Sequence, residues 1–211
     1  QEKTFAVIIA NEKYDNEKNV DFAYNDGIIF KEYCVKTLGI PAINVHFVPN
    51  AGLNQMRQQI NWIKKTAEDF NGEAQFIVYY AGHGVPDDAT KDAYLLPTDG
   101  DGADLDGAYK LSKLYDVLGN IPAKNVLLLM DACFSGSQRN GEVMADARGV
   151  AIKPQIEAPK GNMVVFSATT DKETAYSYKE KVHGLFTYYL LKKLQTTNGA
   201  LDLGALCDYV K

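Results

Sequence analysis

Short apolar runs alternate with longer amphipathic stretches along most of the chain. Five runs have the length and composition of buried β-strands and lie at residues 5–10, 44–48, 75–81, 125–130 and 162–166. In the intervening stretches apolar residues recur at spacings of three and four, which predicts helices over residues 21–38, 53–67, 111–118 and 185–194 and from residue 203. Strands that alternate with helices are typical of an α/β fold with a largely parallel sheet.

Two long polar stretches interrupt this pattern. Residues 85–110 are rich in Asp, Gly and Ala, and residues 134–160 are polar and contain two prolines. We interpret both as loops without packed structure, and loops of this length inside a compact domain usually carry function. Each begins directly after a chemically reactive residue, the first after His83 and the second after Cys133.

The length and charge of the chain restrict its class. A length of 211 residues suits one α/β domain, which we expect to span residues 1–211. The net charge of −5 makes a general nucleic-acid surface unfavourable, because an acidic protein repels phosphate backbones. No apolar run approaches the roughly 20 residues that a membrane-spanning helix needs. We therefore expect a soluble protein, cytoplasmic, or secreted or periplasmic if a leader was removed before Gln1.

The three cysteines do not suggest a disulfide framework. Cys34, Cys133 and Cys207 are few, odd in number and widely separated, and no pair has the spacing of a zinc site. One reactive thiol with two structural ones fits this set.

His83 and Cys133 each follow a strong predicted strand and stand beside glycine or other small residues. Side chains beyond the carboxyl ends of neighbouring parallel strands meet at one edge of the sheet. An imidazole near a thiol can take its proton and later protonate a leaving amine. The backbone N–H groups of Gly84 and Cys133 are candidates for stabilising an oxyanion. The alternatives are a small core cysteine and a histidine that only occupies a turn.

Two motifs resemble those of a known peptidase family. The segments Tyr-Tyr-Ala-Gly-His-Gly at residues 79–84 and Asp-Ala-Cys-Phe-Ser-Gly at residues 131–136 resemble the His and Cys motifs of caspases, and more closely those of metacaspases and bacterial caspase-like peptidases. Their His–Cys separation of 133 − 83 = 50 residues is close to that of caspases. The resemblance implies a caspase-like three-layer sandwich and a cysteine endopeptidase with a Cys133–His83 dyad. It also implies that the domain has a part like the caspase large subunit at residues 1–138, a linker loop at residues 139–160, and a part like the small subunit at residues 161–211.

The same resemblance implies a preference for basic substrates. True caspases have Gln where this chain has Asp131, and in metacaspases that Asp and an Asp of the first helix, here Asp26, line the pocket for the residue before the cut. Two carboxylates would pair with Arg or Lys. The alternative is that Asp26 only caps its helix and Asp131 only orders the turn. Metacaspases often have Ser at the position of Ala81, so one pocket hydrogen bond is absent here.

Further residues enter by resemblance alone. The resemblance implies that Tyr176, which follows the segment beginning at Ser167, forms part of the substrate groove together with that serine, and the alternative is that Tyr176 only packs its loop. Family members are often processed in the region after the catalytic Cys, and a basic preference makes four residues there candidates for self-cleavage. These are Arg148, which we favour because Ala147 and Gly149 leave it unhindered, then Arg139, Lys153 and Lys160. The alternative is that they are solvated loop charges.

We expect no metal or cofactor. The acidic run at residues 99–106 raises calcium as an alternative, since hard oxygen ligands suit Ca²⁺. Its spacing departs from the EF-hand pattern, because Ala103 replaces a ligand and no Glu follows at position twelve, so a solvated turn is favoured.

We expect a monomer whose partners are peptides or proteins with basic residues. Three other functions stay open: a non-catalytic caspase-like interaction module, a thiol hydrolase acting on a small molecule, and a ligand-binding doubly wound domain. The last lacks both a GxGxxG motif and a P-loop.

Overall fold

A central sheet of five parallel strands organises the fold. The computed structural model describes residues 1–134, 158–168, 177–200 and 202–210. In these residues the strands are β1 (Thr4–Ala10), β2 (Val45–Pro49), β3 (Gln75–Ala81), β4 (Gly84–Pro86), β5 (Ala93–Leu95), β6 (Tyr109–Lys110), β7 (Asn125–Asp131), β8 (Met163–Ser167), β9 (Ser177–Tyr178) and β10 (His183–Gly184). The central sheet has the order β2-β1-β3-β7-β8, with every pairing parallel.

Helices cover both faces of this sheet. They are α1 (Ala23–Lys36), α2 (Leu53–Asp69), α3 (Leu111–Asn120), α4 (Leu185–Thr197) and α5 (Leu203–Val210). Phe5, Val7 and Ile9 of β1 pack in one core with residues of α2 and α3. The alternate residues Ala6 and Ile8 pack in a second core with residues of α1, α4 and α5. This alternation of side chains in strands buried on both faces gives the predicted three-layer α/β architecture.

The expectation that residues 85–110 form an unstructured loop is wrong. They contain β5 and β6, which form a small antiparallel sheet with β4 in the order β4-β5-β6. Val85, Leu95 and Tyr109 of this sheet are buried in the two cores. Strands of two or three residues are too short to give a periodic pattern, which is why the sequence did not reveal them.

The other boundaries differ by a few residues from those expected. Helix α1 begins two residues later than predicted, and α4 continues three residues beyond the predicted end. The pairing of β9 with β10 was not predicted either. None of the helices in the described part of the chain combines the length and apolar character needed to cross a membrane.

Candidate active site

The ends of β3 and β7 bring His83 and Cys133 to one edge of the sheet. The two strands are parallel neighbours, and their last residues, Ala81 and Asp131, pair with each other. His83 and Cys133 each lie two residues beyond this pair. Both are nearly buried, with 5% and 6% of their surfaces exposed. The two residues therefore follow their strands at equal distance from a paired position at the same edge of the sheet.

Two tyrosine hydroxyls fix the backbone of His83. Its N–H donates to the hydroxyl of Tyr14 over 2.8 Å. Its carbonyl accepts from the hydroxyl of Tyr80, which also lies 2.9 Å from the carbonyl oxygen of Leu96. Burial raises the pKa of Tyr80 well above its usual range, so that this hydroxyl keeps its proton and stays a donor. The Tyr14 ring also packs against the imidazole, with centroids 4.6 Å apart.

A backbone carbonyl orients the imidazole of His83. Nε2 lies 2.7 Å from the carbonyl oxygen of Lys18, in the loop between β1 and α1. A carbonyl oxygen can only accept, so this contact assigns the proton to Nε2. In the neutral ring Nδ1 is then the basic nitrogen, the one that can take a proton from a nucleophile.

Gly84 lies against the backbone that carries the thiol. A Cβ at this position would lie 2.6 Å from the carbonyl oxygen of Cys133 and 2.5 Å from the ring of Phe134. No side chain fits there, so the main chain after His83 approaches the main chain of Cys133 directly. The two amides proposed for oxyanion binding therefore belong to segments that touch.

The two cysteines whose side chains are described have different surroundings. Neither forms a disulfide within the described residues. Cys34 lies inside α1 in an apolar core, where burial raises the pKa of its thiol to about 12. Cys133 lies at the sheet edge beside the glycine-rich segment that contains His83. Of these two, only Cys133 occupies a position suited to a nucleophile.

The two acidic residues of the predicted pocket contact the same short segment. Asp26, in the first turn of α1, accepts from the backbone N–H of Gly184 over 2.9 Å, and its Oδ1 lies 2.6 Å from Nδ1 of His183. Asp131, at the end of β7, accepts from the hydroxyl of Thr187 over 2.7 Å. Gly184 is the residue before α4 and Thr187 lies in its first turn. Both carboxylates thus converge on the positive end of one helix.

Neither carboxylate has any exposed surface. Both oxygens of Asp26 and Oδ2 of Asp131 already contact protein groups, so a cationic substrate side chain reaches these three atoms only by replacing a contact or by a shift of the segment 183–187. Ala81 is buried beside them and contributes no polar group.

The other predicted site residues have varied outcomes. The hydroxyl of Ser167, at the end of β8, is buried and makes no hydrogen bond within the described part of the chain. Lys160 is half exposed and forms an ion pair with Asp116 over 2.6 Å. The remaining predictions, at Tyr176, Arg139, Arg148 and Lys153, fall outside the described residues.

The acidic run at residues 99–106 stabilises turns. Asp99 accepts from the backbone N–H of Leu53, Asp101 from that of Ala103, and Asp104 from that of Asp106. Across the described ranges, no group of three His, Cys, Asp or Glu side chains is placed to hold a metal ion.

Sequence reasoning missed four residues of this site. Tyr14 and Lys18 precede His83 by 69 and 65 positions, so no local pattern connects them to it. Lys18 contributes only its backbone carbonyl, which any residue type supplies. Thr187 lies among apolar residues of the predicted helix 185–194, and nothing in that pattern indicated a hydrogen bond to Asp131. His183 was visible only as a histidine before a glycine, which a turn explains.

Comparison with known proteins identifies the fold. A family model described as a caspase domain matches residues 3–211. No curated protein matches the chain. The crystal structure of caspase-1 from Spodoptera frugiperda superposes with a TM-score of 0.69 at 18% identity, covering 99% of this chain and 75% of that one. The structure of protein GSU0716 from Geobacter sulfurreducens gives a TM-score of 0.69 at 19% identity, covering 95% of this chain and 84% of that one. These similarities establish a caspase-like α/β architecture.

Proposed function

Because the chain belongs to the caspase-domain family, we propose that it is a cysteine endopeptidase with Cys133 as nucleophile and His83 as its acid/base partner. The observation that carries this proposal is the register of β3 and β7. The pairing of Ala81 with Asp131 delivers both reactive residues to one edge at the same height. The contact of Gly84 with the Cys133 main chain supports it further.

The proposed reaction proceeds through a thioester. Nδ1 of His83 takes the thiol proton as the sulfur of Cys133 attacks the scissile carbonyl carbon, and the N–H groups of Gly84 and Cys133 stabilise the oxyanion. The imidazolium then donates its proton to the leaving amine as the C–N bond breaks. Water, deprotonated by the same imidazole, hydrolyses the thioester and restores the thiol.

We also propose that the enzyme cuts after Arg or Lys. Asp26 and Asp131 are supported as the pocket carboxylates because they contact one segment at the end of the sheet where Cys133 lies. A guanidinium matches a carboxylate with two parallel hydrogen bonds, so Arg is expected to be preferred to Lys. The hydroxyl of Ser167, which makes no hydrogen bond to the residues that the structure describes, is a further candidate for contact with the substrate.

Self-cleavage in the 134–160 region follows as a proposal from the same specificity. Arg148 is the favoured site, with Arg139, Lys153 and Lys160 as alternatives. Mass spectrometry of the protein incubated alone should find a cut after one of these residues. An intact chain after long incubation of active enzyme would contradict self-cleavage.

Fluorogenic peptides ending in Arg, Lys or Asp test the activity and the specificity together. Wild type should turn over Arg peptides best, with or without calcium. The Cys133→Ala variant should lose turnover by about a thousandfold or more, as expected for a nucleophile. Cys34→Ala is the matched control, since its thiol is enclosed in the core, and it should retain the wild-type preference among the three peptides.

Each alternative gives a different result. Equal turnover by Cys133→Ala would remove this residue as nucleophile. Preference for Asp peptides would overturn the pocket while leaving the dyad. No turnover of any peptide by folded wild type would favour the non-catalytic interaction module.

A further inference from the structure

The segment before α4 is fastened to the first turn of α1 by three contacts. Nδ2 of Asn25 donates to the carbonyl of Val182 over 2.8 Å. The N–H of Gly184 donates to Oδ2 of Asp26 over 2.9 Å. Between them, Nδ1 of His183 lies 2.6 Å from Oδ1 of the same carboxylate. Two contacts use the backbone of the segment, and only the third uses a side chain that can rotate away.

His183 has the chemistry of a basic substrate group. Beside a carboxylate, its ring presents an N–H donor, as the guanidinium of Arg or the ammonium of Lys would. Asp26 has no exposed surface, whereas 17% of the His183 side chain is exposed. The imidazole is therefore the member of this pair that solvent reaches.

We propose that His183 competes with the substrate for the proposed pocket: it occupies Oδ1 of Asp26 until a basic substrate side chain displaces it. This inference rests on the proposed function, in which Asp26 binds the residue before the cut. Displacement does not require the segment to unfold, because Asn25 and the Gly184 N–H keep its backbone on α1. The exchange imposes a threshold: an aliphatic side chain, which has no N–H donor, cannot replace the contact that the imidazole gives up.

Displacement costs the same free energy whichever cation replaces the imidazole. An Arg guanidinium brings two parallel donors to the carboxylate that the imidazole leaves, whereas a Lys ammonium brings a point charge. The preference for Arg over Lys therefore comes from the carboxylate, and His183 raises the KM of both kinds of substrate. Its removal should improve the binding of Arg and Lys peptides by the same factor and leave their ratio unchanged.

Kinetics of two substitutions at His183 measure this threshold. His183→Ala removes the competitor and should lower the KM for Arg peptides by about tenfold with little change in kcat. His183→Asn, whose amide can still donate to Asp26, should restore a KM close to that of wild type. The matched control is His46→Ala, which removes a histidine of β2 that bonds Gln59 and stacks on Trp62. Its KM should not change.

A merely structural role for His183 predicts a different pattern. It would lower stability and kcat in His183→Ala and leave KM unchanged. Wild-type turnover that depends on Cys133, combined with an unchanged KM in His183→Ala, would overturn the threshold while the proposed peptidase function stands.

A binding experiment separates the two proposals when no turnover is found. Agmatine, a guanidinium compound without a scissile bond, is titrated into the Cys133→Ala protein while the imidazole resonances are followed by NMR, with His183→Asn used for assignment. Displacement predicts a saturable shift of the His183 resonance, no shift at His46, and about tenfold tighter binding to the protein that also carries His183→Ala. Binding without a shift at His183, or no binding at all, would overturn the inference.

Discussion

At the scale of single residues, the orientation of His83 depends on groups far away in the chain. Tyr14 and Lys18, both in the loop after β1, hold its N–H and its Nε2. That loop is itself anchored, because the amide of buried Asn11 contacts the carbonyls of Ala51 and Leu96. The imidazole is therefore positioned by the whole carboxyl edge of the sheet.

Replacing Tyr14 with Phe tests this positioning. The substitution leaves the buried N–H of His83 without its hydroxyl acceptor, which should cost about 1–3 kcal/mol of unfolding free energy. We expect kcat for Arg peptides to fall as well, because the imidazole loses its fixed position. Urea denaturation and steady-state kinetics provide the two measurements. Tyr24→Phe, at a tyrosine that is 42% exposed, should change neither. An unchanged kcat in Tyr14→Phe would show that the contact does not orient the ring.

The raised pKa of Cys34 gives a prediction about chemical labelling. Burial raises this pKa from 9.0 to about 12, so the folded protein holds a neutral thiol across the range in which an unfolded thiol ionises. The unfolded chain binds fewer protons there, and the stability contributed by this group falls as pH rises from about 9 to about 12. Iodoacetamide at mildly alkaline pH should leave Cys34 unmodified in folded protein and modify it in urea, as mapped by mass spectrometry. Equal labelling in both states would refute the burial argument.

At the scale of elements, the start of α4 connects the two carboxylates of the proposed pocket, Asp26 on α1 and Asp131 on β7. Its preceding residue Gly184 contacts Asp26, and its third residue Thr187 bonds both Asp131 and the hydroxyl of Tyr79, each over 2.7 Å. Tyr79 lies on β3 and Asp131 on β7. One threonine hydroxyl therefore links a helix to two adjacent strands inside the core.

The isosteric change Thr187→Val tests this link. Valine keeps the shape of the side chain but leaves a buried carboxylate and a buried phenol without the hydroxyl, which should lower the unfolding free energy by about 1–3 kcal/mol in urea titrations. Thr196→Val, at an exposed residue of the same helix, is the matched control and should be close to neutral. A loss of equal size in both variants would mean that valine disfavours the helix in general and that the link contributes little.

The elements that could be predicted from the sequence are those whose apolar residues form a continuous run or recur at a regular spacing. Strands β1, β3 and β7 are continuous apolar runs, and α2 repeats Met56, Ile60, Ile63 and Ala67 on one face, so each was identified from its own residues. The β4-β5-β6 sheet was missed because its strands have two or three residues. The partners of Asp26 were missed because they lie 157 and 158 positions away, and no local pattern records such a contact.

At the scale of the whole molecule, the two cores share one sheet but serve different roles. The core beneath α2 and α3 is built from apolar and aromatic side chains. The core beneath α1, α4 and α5 continues at the carboxyl edge into the buried carboxylates of Asp26 and Asp131. The two buried carboxylates of the described residues thus both lie where the proposed substrate pocket is.

The net charge of −5 predicts how turnover depends on salt. An acidic protein attracts a cationic peptide over distances comparable to the Debye length, which is about 8 Å at physiological ionic strength. Added sodium chloride should therefore lower kcat/KM for Arg peptides by about two- to tenfold, mainly through KM. A peptide whose only change is citrulline in place of Arg is the neutral control and should respond less. Equal salt responses would indicate a general effect on the enzyme.

The shared register of β3 and β7 limits how this site can change. Because successive residues of a strand point to opposite sides, loss or gain of one residue in either strand would turn Ala81 or Asp131 toward α2 and α3 and carry the following imidazole or sulfur out of line with its counterpart. Length changes here are tolerable only when they are even and made equally in both strands, so descendants of this protein can lengthen their loops freely but inherit the spacing of these two strand ends almost unaltered.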